Sequence, residues 1–432
     1  VIGSEDYKKE FCDEKVQKWA EELSNLTEIA ETHPQMAYSA FQKGYKSKFT
    51  YFLRTIENFQ QYVEPLDAII SDKLIPTLFG YDNPMAEIRN LLSLNPSDGG
   101  LGFPIIAEES EGQYKSSKLI SLPLVESIIA QESIIRPSSA DGRTSDELRS
   151  SDRKNKNDQK KEAINAIDTS LPEDLMSYVK QARDKGASSW LNALPIEEMA
   201  FTLNKEQFRD ALRLRYNLNL DNLPSSCPCG QRFNVRHALT CKKGGFIHER
   251  HDNIKNTLTV LLSKVCKDVE EEPHLIPVTN EVMYNRTANT QDDARLDIKA
   301  HSFWQRGQTA FFDIRVTHVN SQSQKHMSTE KIFRVHEQAK KREYMQRVLD
   351  IENGSFTPLV FGTNGGLGEE CASFLTTLAS KIAMKDGESY AHTITWIRTR
   401  LSFEILKAAI TCVCDSRAVS YTHLTLPTRK LV

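Results

Sequence analysis

Residues 227–241 read CPCGQRFNVRHALTC, a stretch with three cysteines and one histidine within fifteen positions. Seven residues separate the second cysteine from the histidine, and three separate the histidine from the third cysteine. Thiolates and imidazole are ligands that Zn²⁺ prefers, and four of them close its tetrahedral shell. The stretch therefore predicts a structural zinc site formed by Cys227, Cys229, His237 and Cys241. The alternative is that these four side chains share no ion. The argument for it is that Cys227 and Cys229 are closer in sequence than zinc-binding cysteine pairs usually are.

The composition limits what kind of protein this is. The chain has 432 residues, a net charge of −3 and eight cysteines. This length predicts two to four domains, and the cysteines are too few for a secreted disulfide scaffold. No apolar run approaches the roughly 20 residues of a membrane helix, so we expect no membrane partner. The charge argues against a wholesale polyanion binder, which leaves local basic clusters as candidate phosphate contacts.

Both ends of the sequence are unusual. Residues 1–4 show neither an initiator methionine nor a signal-peptide pattern, so we interpret the chain as a fragment of a longer protein. Residues 419–432 resemble the translation of a sequencing adapter, and we leave them out of the fold prediction as an artefact. A natural polar tail is the alternative.

Composition and periodicity divide the chain into four regions. Residues 1–110 carry helical periodicity. Residues 111–200 form a charged linker with helices, and within them residues 133–160 are so polar that we expect no tertiary contacts there. Residues 201–250 add a helix and the Cys/Cys/His/Cys knuckle. Residues 251–410 alternate helical and strand-like runs, which predicts a mixed α/β domain after a helical N-terminal half.

Two aspartates interrupt strand-like runs in the last region. Asp297 and Asp313 are separated by fifteen residues, which is enough for a hairpin that brings them together. An aspartate between apolar strand residues is costly to bury without a partner, and oxygen ligands suit Mg²⁺ or Mn²⁺. The alternative is a pair of edge carboxylates that face solvent or pair with Arg295 and Arg315.

A charged helix is predicted at residues 329–351. At 100° per residue, Glu337 and Lys340 fall on the apolar stripe that should face the sheet, and Lys341 falls at its edge. Lys340 either extends its ammonium to water along this stripe or aims it at a scissile phosphate, where it would stabilise developing charge.

These residues together resemble a known pattern. Asp297, Asp313-Ile-Arg315 and Glu337-x2-Lys340-Lys341-x2-Tyr344 look like the PD-(D/E)xK nuclease motif. The run from the knuckle through Arg250-His251 to these acids resembles the C-terminal region of non-LTR retrotransposon polyproteins, where a zinc knuckle and a restriction-like endonuclease follow a reverse transcriptase. Residues 1–110 are similar to the reverse transcriptase segment after the palm, on the following residues: Trp19, Pro34-Gln35, 49–54, 74–76 and 99–102.

The resemblance implies a function for the chain. Its C-terminal domain would nick target DNA by metal-dependent phosphodiester hydrolysis, and the nick would prime reverse transcription of the element RNA in the nucleus, together with the rest of the polyprotein. Asp297 and Asp313 would bind Mg²⁺ or Mn²⁺, and the remaining catalytic candidates are Arg315, Glu337 and Lys340. The expected nucleic-acid contacts are Arg213, Arg215, Arg236, Lys242, Lys243, Arg250 and Lys341.

Three departures from the family pattern leave a second interpretation open. Leu296 stands where the nuclease motif has proline, and Arg315 stands where it has lysine. Arginine keeps the charge but cannot give its proton to a leaving group. The Tyr-x-Asp-Asp turn of the polymerase is absent, so the chain would not polymerise alone. The alternative function is a catalytically degenerate element remnant that only binds nucleic acid through its knuckle.

Overall fold

The computed structural model describes residues 4–81, 86–133, 135–138, 142–321, 324 and 326–422, and only the backbone of residues 86 and 415–422. The chain forms two compact units, Val1–Val179 with Thr202–Tyr216 and Lys180–Phe201 with Asn217–Val432. The division differs from the expected boundaries, because residues 202–216 belong to the N-terminal unit and not with the knuckle. Residues 423–432, most of the presumed adapter, lie outside the described residues.

The first unit is helical in the residues that the structure describes. Its first helix, α1, begins after Ser4, whose hydroxyl accepts a hydrogen bond from the Tyr7 N–H. Helix α1 buries Val16, Trp19, Leu23 and Leu26 at three- to four-residue spacing, as its periodicity predicts. The α-helices are α1 Glu5–Thr32, α2 Pro34–Ala40, α3 Lys46–Thr55, α4 Glu64–Ile69, α5 Ile75–Phe79, α6 Arg89–Ser93, α7 Ile106–Ile129, α8 Ser145–Ser170, α9 Glu173–Ala182, which the unit boundary crosses, and α10 Lys205–Arg215.

Helix α8 corrects the expectation for residues 133–160. Thr144 and Glu147 form a capping box at its start, and Leu148 is fully buried. Asp152 accepts a hydrogen bond from the Ser116 hydroxyl at 2.6 Å, and Lys160 pairs with Asp98 at 2.6 Å. The helix is polar on nearly every side, so its order comes from the cap and these polar contacts, which hydrophobic periodicity does not detect.

The glycine-rich run at 99–102 forms a tight turn, as its composition predicts. A Cβ atom on Gly100 would lie 2.0 Å from the Leu94 carbonyl oxygen, so the chain passes there only without a side chain. The Gly99 carbonyl accepts the Tyr216 hydroxyl at 3.0 Å, and the Leu101 carbonyl accepts the Tyr38 hydroxyl at 3.0 Å. The turn is therefore part of the packing of the first unit.

The second unit contains the knuckle and a four-stranded sheet. Its elements agree with the predicted order of helices and strands. They are α11 Val235–Ala238, α12 Phe246–Ser263, β1 Lys267–Glu271, β2 Ile298–His301, β3 Thr309–Thr317, α13 Thr329–Lys340, α14 Gln346–Asp350, β4 Ser355–Gly362, α15 Glu369–Asp386 and α16 Tyr390–Thr422. One π-helical segment, Lys341–Met345, joins α13 to α14.

The sheet has the order β1-β2-β3-β4 and mixed direction. Strands β1, β2 and β3 pair antiparallel, and β4 pairs parallel to β3. Alternate residues of β3 face opposite layers. Phe312 and Ile314 belong to a core with α12, α15 and α16, whereas Phe311 packs with Tyr344 and Val348 from the α13–α14 segment. Asp313 therefore lies on the face that α13 covers.

No helix within the described ranges is both long enough and apolar enough to span a membrane.

Candidate metal centre and acidic pair

The knuckle begins with a short hairpin. Ser226 and Arg232 form an antiparallel bridge, and the Cys227 N–H donates to the Gln231 carbonyl at 2.8 Å. Gly230 closes the turn, because its N–H donates to the Cys227 carbonyl at 2.8 Å while its φ is +88°. Glycine adopts this left-handed conformation without a steric penalty. The hairpin thereby supplies the first two cysteines from one turn.

The short helix α11 supplies the other two ligands. Asn234 caps it, since its side-chain oxygen accepts the His237 N–H at 2.9 Å. The Cys241 N–H donates to the His237 carbonyl at 2.8 Å, so Cys241 follows His237 by one helical turn. This local geometry places the imidazole and the third thiol on one side of the chain.

The four side chains converge on one point. Each offers one ligand atom, and the four atoms lie within 4.8 Å of one another. The Cys227 and Cys241 sulfurs are 3.7 Å apart, and the Cys229 sulfur is 3.3 Å from His237 Nε2. Zinc bonds of about 2.0–2.3 Å place neighbouring tetrahedral ligands roughly 3.6–3.8 Å apart. The cluster could therefore hold a metal ion such as zinc, despite the tight Cys-x-Cys spacing.

The two cysteines of the turn differ in acidity. Burial and the neighbouring thiols raise the pKa of Cys227 to about 11. The backbone hydrogen bond at Gln231 lowers the pKa of Cys229. Zinc binds thiolates and neutral imidazole, so its affinity for such a cluster falls as the pH falls.

Arg250 joins helix α12 to the knuckle. The residue is 2% exposed, and its Nη1 donates to the Leu239 carbonyl at 3.3 Å. Burial lowers the pKa of Arg250. The structure therefore gives no support to the expected phosphate contact by Arg250, because this side chain is buried in the protein. Three other expected cations on the knuckle are exposed to solvent: Arg236, Lys242 and Lys243.

The two arginines expected on α10 serve the first unit. Arg213 is 5% exposed and donates to the Phe79 and Gly80 carbonyls at 2.9 and 3.0 Å. Arg215 donates to the Pro96 carbonyl at 2.8 Å. These guanidinium groups hydrogen-bond to carbonyl oxygens of their own unit, so the structure gives no support to the expected phosphate contacts of Arg213 and Arg215, and the contact of the half-buried Arg215 stays a prediction.

The β2–β3 hairpin sets Asp297 opposite Asp313. Ile298 pairs with Phe312 in the antiparallel ladder, and the Asp297 N–H continues it to the Phe312 carbonyl at 3.1 Å. Asp297 Oδ2 also accepts the Ile314 N–H. The backbone of β3 thus orients the carboxylate of Asp297 beside the strand that carries Asp313.

Lys340 reaches this pair from α13. Its Nζ lies 3.0 Å from Asp313 Oδ2 and 3.3 Å from Oδ1, and Asp313 is 6% exposed. Burial raises the pKa of Asp313 to about 6, which Lys340 opposes and Asp297 reinforces. Burial also disfavours the charge of Lys340, but Asp313 and Glu343 outweigh it, so the pKa of Lys340 is raised. The ammonium group therefore stays charged.

A π-helical segment starts directly after Lys340. Glu343 within it lies 3.6 Å from the Lys340 ammonium, and the ring of Tyr344 lies 5.3 Å from it. Such π-helical insertions in α-helices occur frequently at functional sites. Sequence reasoning did not select Glu343, although its i, i+3 spacing from Lys340 is a signal that could have found it.

His251 completes the surroundings of the acidic pair. Its Nε2 lies 3.2 Å from Asp297 Oδ2, and its Nδ1 lies 3.3 Å from Asp252. The hydrogen bond to Asp297 raises the pKa of His251 to about 8, against the effect of burial. The structure places this histidine against the first acid of the pair.

The remaining catalytic candidates lie elsewhere. Glu337 is buried on the sheet side, as predicted, but its Oε1 accepts the Glu370 N–H at 3.1 Å, at the start of α15. Glu337 thus caps a helix, and Lys341 forms an ion pair with Glu370 instead of a free phosphate contact. The side chain of Arg315 is exposed and makes no hydrogen bond or ion pair with any residue in the described ranges. Lys340, not Arg315, is the basic partner of Asp313.

The two clusters differ as metal sites. Among the residues that the structure describes, only the Cys/His cluster brings three or more metal-ligating groups together. Asp297 and Asp313 offer two carboxylates, so an Mg²⁺ or Mn²⁺ site is not defined by these contacts. No family model matches the chain, and no curated protein matches it either.

Proposed function

We propose that the second unit is a restriction-like endonuclease domain from a non-LTR retrotransposon polyprotein. In this proposal the domain nicks target DNA, and the free 3′ end primes reverse transcription of the element RNA in the nucleus. The convergence of Asp297, Asp313 and Lys340 supports the proposal most directly. Lys340 pairs with Asp313 on β3, and Asp297 hydrogen-bonds to the next residue of that strand, Ile314. Two carboxylates and an ammonium are groups that metal-dependent phosphodiester hydrolysis uses.

Asp297 and Asp313 are the groups that would hold Mg²⁺ or Mn²⁺. Asp313 Oδ2 is buried and lies 3.0 Å from the Lys340 ammonium, so a metal ion bound there would displace Lys340 from this oxygen. Mg²⁺ commonly binds through one or two carboxylates together with substrate phosphate oxygens. A bound ion would lower the pKa of a water molecule and neutralise phosphate charge. Lys340 would move from Asp313 toward the scissile phosphate, and His251 would keep Asp297 oriented.

The knuckle would bind zinc and grip nucleic acid. Arg236, Lys242 and Lys243 are exposed around the four ligands, where they would contact phosphates. The alternative function, an element remnant that only binds nucleic acid, is favoured by the ion pair between Lys340 and Asp313, because this contact occupies both groups. The two functions differ in whether the acidic pair hydrolyses DNA.

The deciding experiment is a nicking assay with supercoiled plasmid and Mg²⁺. We expect the wild-type chain to convert supercoiled plasmid to open circles. Asp313→Asn should lower the rate by at least about 100-fold, since it removes a carboxylate that would hold the metal ion at the reacting phosphate. Asp350→Asn is the matched control, because Asp350 is an exposed residue at the end of α14.

Zinc content and thermal unfolding of each variant verify that the fold is intact. Plasmid binding without nicking by the wild type would favour the binding-only function. Equal nicking by wild type and Asp313→Asn would contradict the assignment of the acidic pair.

A further inference from the structure

The β1–β2 loop, residues 276–293, lies directly before Asp297 in the chain. Its two ends are joined by the bridge between His274 and Arg295 and by a hydrogen bond from the Leu275 N–H to the Ala294 carbonyl at 2.9 Å. Loops of this length without regular structure are uncommon in compact domains unless they have a function. The length of this loop is therefore a reason to look for a functional role.

The segment after Lys340 holds the loop in place. The fully buried Arg347 donates to the Ile276, Asn289 and Gln291 carbonyls at 2.8–2.9 Å. Further bonds come from Gln346, Tyr344, Glu343 and Glu352. One helical segment thus positions both the loop and the Lys340–Glu343 pair. The loop therefore shares its support with Lys340, the partner of Asp313.

The same loop exposes large apolar side chains. Val282 is 73% exposed and Tyr284 is 85% exposed, while the Gln346 amide bonds their backbone at Val282 O and Tyr284 N, at 3.0 and 2.9 Å. A backbone fixed by specific bonds, with an aromatic ring left in water, is typical of a binding surface rather than of a packing surface.

Among the charged residues of this loop, Arg286 favours nucleic acid as the partner, whereas Glu281, Asp292 and Asp293 carry the opposite charge. Arg286 is exposed two residues after Tyr284 and makes no hydrogen bond or ion pair with described residues, so its charge is available to a phosphate. The carboxylate of Glu281 accepts the Thr279 and Asn280 N–H groups at 2.8 and 3.1 Å, so it is already occupied by backbone donors. An exposed aromatic ring and, two residues later in the sequence, an exposed guanidinium suit a nucleobase and its phosphate.

We propose that Tyr284 stacks on an unpaired nucleobase of the DNA strand that the acidic site engages. This inference rests on the proposed nuclease function, and it adds a substrate feature, a preference for DNA with an unstacked base beside the phosphate. The ring supplies a flat apolar face, which every nucleobase can use. Val282 packs alongside the same base, and the β1–β2 loop keeps both side chains in place before the DNA arrives.

The test measures binding without hydrolysis. The full chain is titrated, in EDTA at fixed salt and with zinc content verified, against a duplex whose single unpaired base is 2-aminopurine and against the fully paired duplex. Stacking on an aromatic ring quenches 2-aminopurine fluorescence. We expect the wild type to quench it and to prefer the unpaired duplex by about tenfold, the affinity that one stacked base commonly supplies.

Tyr284→Ala should lose both the quenching and the preference, and Tyr284→Phe should keep them. Tyr51→Ala is the matched control, since Tyr51 is 68% exposed on α3 in the other unit. Quenching and preference that survive in Tyr284→Ala would overturn the inference, and so would their absence in the wild type, whether the loop then binds a protein or nothing.

The outcomes separate the inference from the proposed function. Tyr284-dependent quenching by a chain that does not nick plasmid would support the loop contact and refute the nuclease. Nicking by a wild-type chain that shows no Tyr284-dependent quenching would refute the loop contact alone.

Discussion

Single charged residues take their role from burial. Arg213, Arg250 and Arg347 are each at most 5% exposed, and all three donate hydrogen bonds to backbone carbonyl oxygens. A buried charge is tolerated only where such partners compensate for lost hydration. Arg236 lies in an equally basic stretch but is exposed. The same residue type is therefore structural in three places and open to a ligand in a fourth.

His318 is a residue whose burial should be visible as pH dependence. It follows β3, is 6% exposed, and its Nδ1 lies 3.0 Å from the Thr363 hydroxyl. Burial, with Arg250 and Arg236 nearby, lowers its pKa to about 4. Between about pH 6.5 and pH 4, His318 is protonated in the unfolded chain but stays neutral in the folded chain. Acidification therefore favours unfolding. At pH 5 we expect a loss on the order of 2 kcal/mol.

Urea unfolding at pH 7.5 and pH 5.0 checks this prediction. His318→Asn keeps a side-chain group that can bond Thr363 but does not titrate, so its stability should fall less between the two pH values. An identical loss in wild type and variant would show that another group causes it, such as His336, whose pKa burial also lowers to about 4. Asp184, whose pKa burial raises to about 7, opposes the loss in both proteins.

At the scale of elements, the knuckle and the sheet are stabilised differently. The sheet is covered on both faces by apolar side chains from α12, α15 and α16 and from the α13–α14 segment. The knuckle buries few large side chains, mainly Phe233 and Leu239. A segment with so little apolar burial depends on cross-links, and in the proposed zinc-bound form the free energy of metal binding is folding free energy.

Cys241→Ser tests the knuckle as an element. The variant should lose about one bound zinc per chain and disorder residues 225–241, because three ligands hold the ion far more weakly than four. Strands β2–β4 should keep their hydrogen-exchange protection. Metal analysis and hydrogen exchange of the purified full chain measure the two effects.

Cys266→Ser is the control, since Cys266 follows α12 and lies outside the four-residue cluster. Retained zinc in Cys241→Ser would show that another residue completes the shell, with His248 as the nearest histidine in sequence.

At the scale of the whole molecule, the chain folds as two units, and each unit consists of two separate stretches of sequence. Helix α10 lies beyond residues 180–201 of the second unit, yet it belongs to the first. Arg213 ties it to the carbonyls of Phe79 and Gly80, 134 and 133 residues away in the sequence. Removal of α10 would thus damage the first unit and not the knuckle next to it in sequence.

Arg213→Ala separates the two units experimentally. It should lower the unfolding free energy of the first unit by about 2–3 kcal/mol, since hydrogen bonds from a charged donor to the buried Phe79 carbonyl and the half-buried Gly80 carbonyl are lost. Zinc content and DNA affinity should not change. Domain-resolved hydrogen exchange and a DNA titration measure these quantities.

Arg236→Ala should show the reverse, with unchanged stability, weaker DNA binding and a salt dependence of log K reduced by about one ion. A loss of DNA affinity in Arg213→Ala without a loss of stability would show that Arg213 contacts nucleic acid.

Local patterns in the sequence determined much of the fold. The stripe of α1, the four strands and the four candidate zinc ligands depend on residues within a few turns or one hairpin of each other, so spacing alone predicts them. Hydrophobic periodicity did not predict helix α8. Its order comes from its cap and from polar contacts with Ser116 and Asp98, and such contacts produce no apolar stripe in the sequence. Its residues carry charge, and charge alone does not distinguish a polar helix from a disordered segment.

The tertiary structure alone decided which charged groups meet. Asp313 and Lys340 are 27 residues apart, and His251 and Asp297 are 46 apart, so their contacts depend on how α12 and α13 pack on the sheet. Periodicity placed Glu337 and Lys340 on one face of α13, but only packing made one a helix cap and the other the partner of Asp313. Sequence spacing determines which face a side chain occupies; its partner across that face is set by the long-range contacts that burial selects.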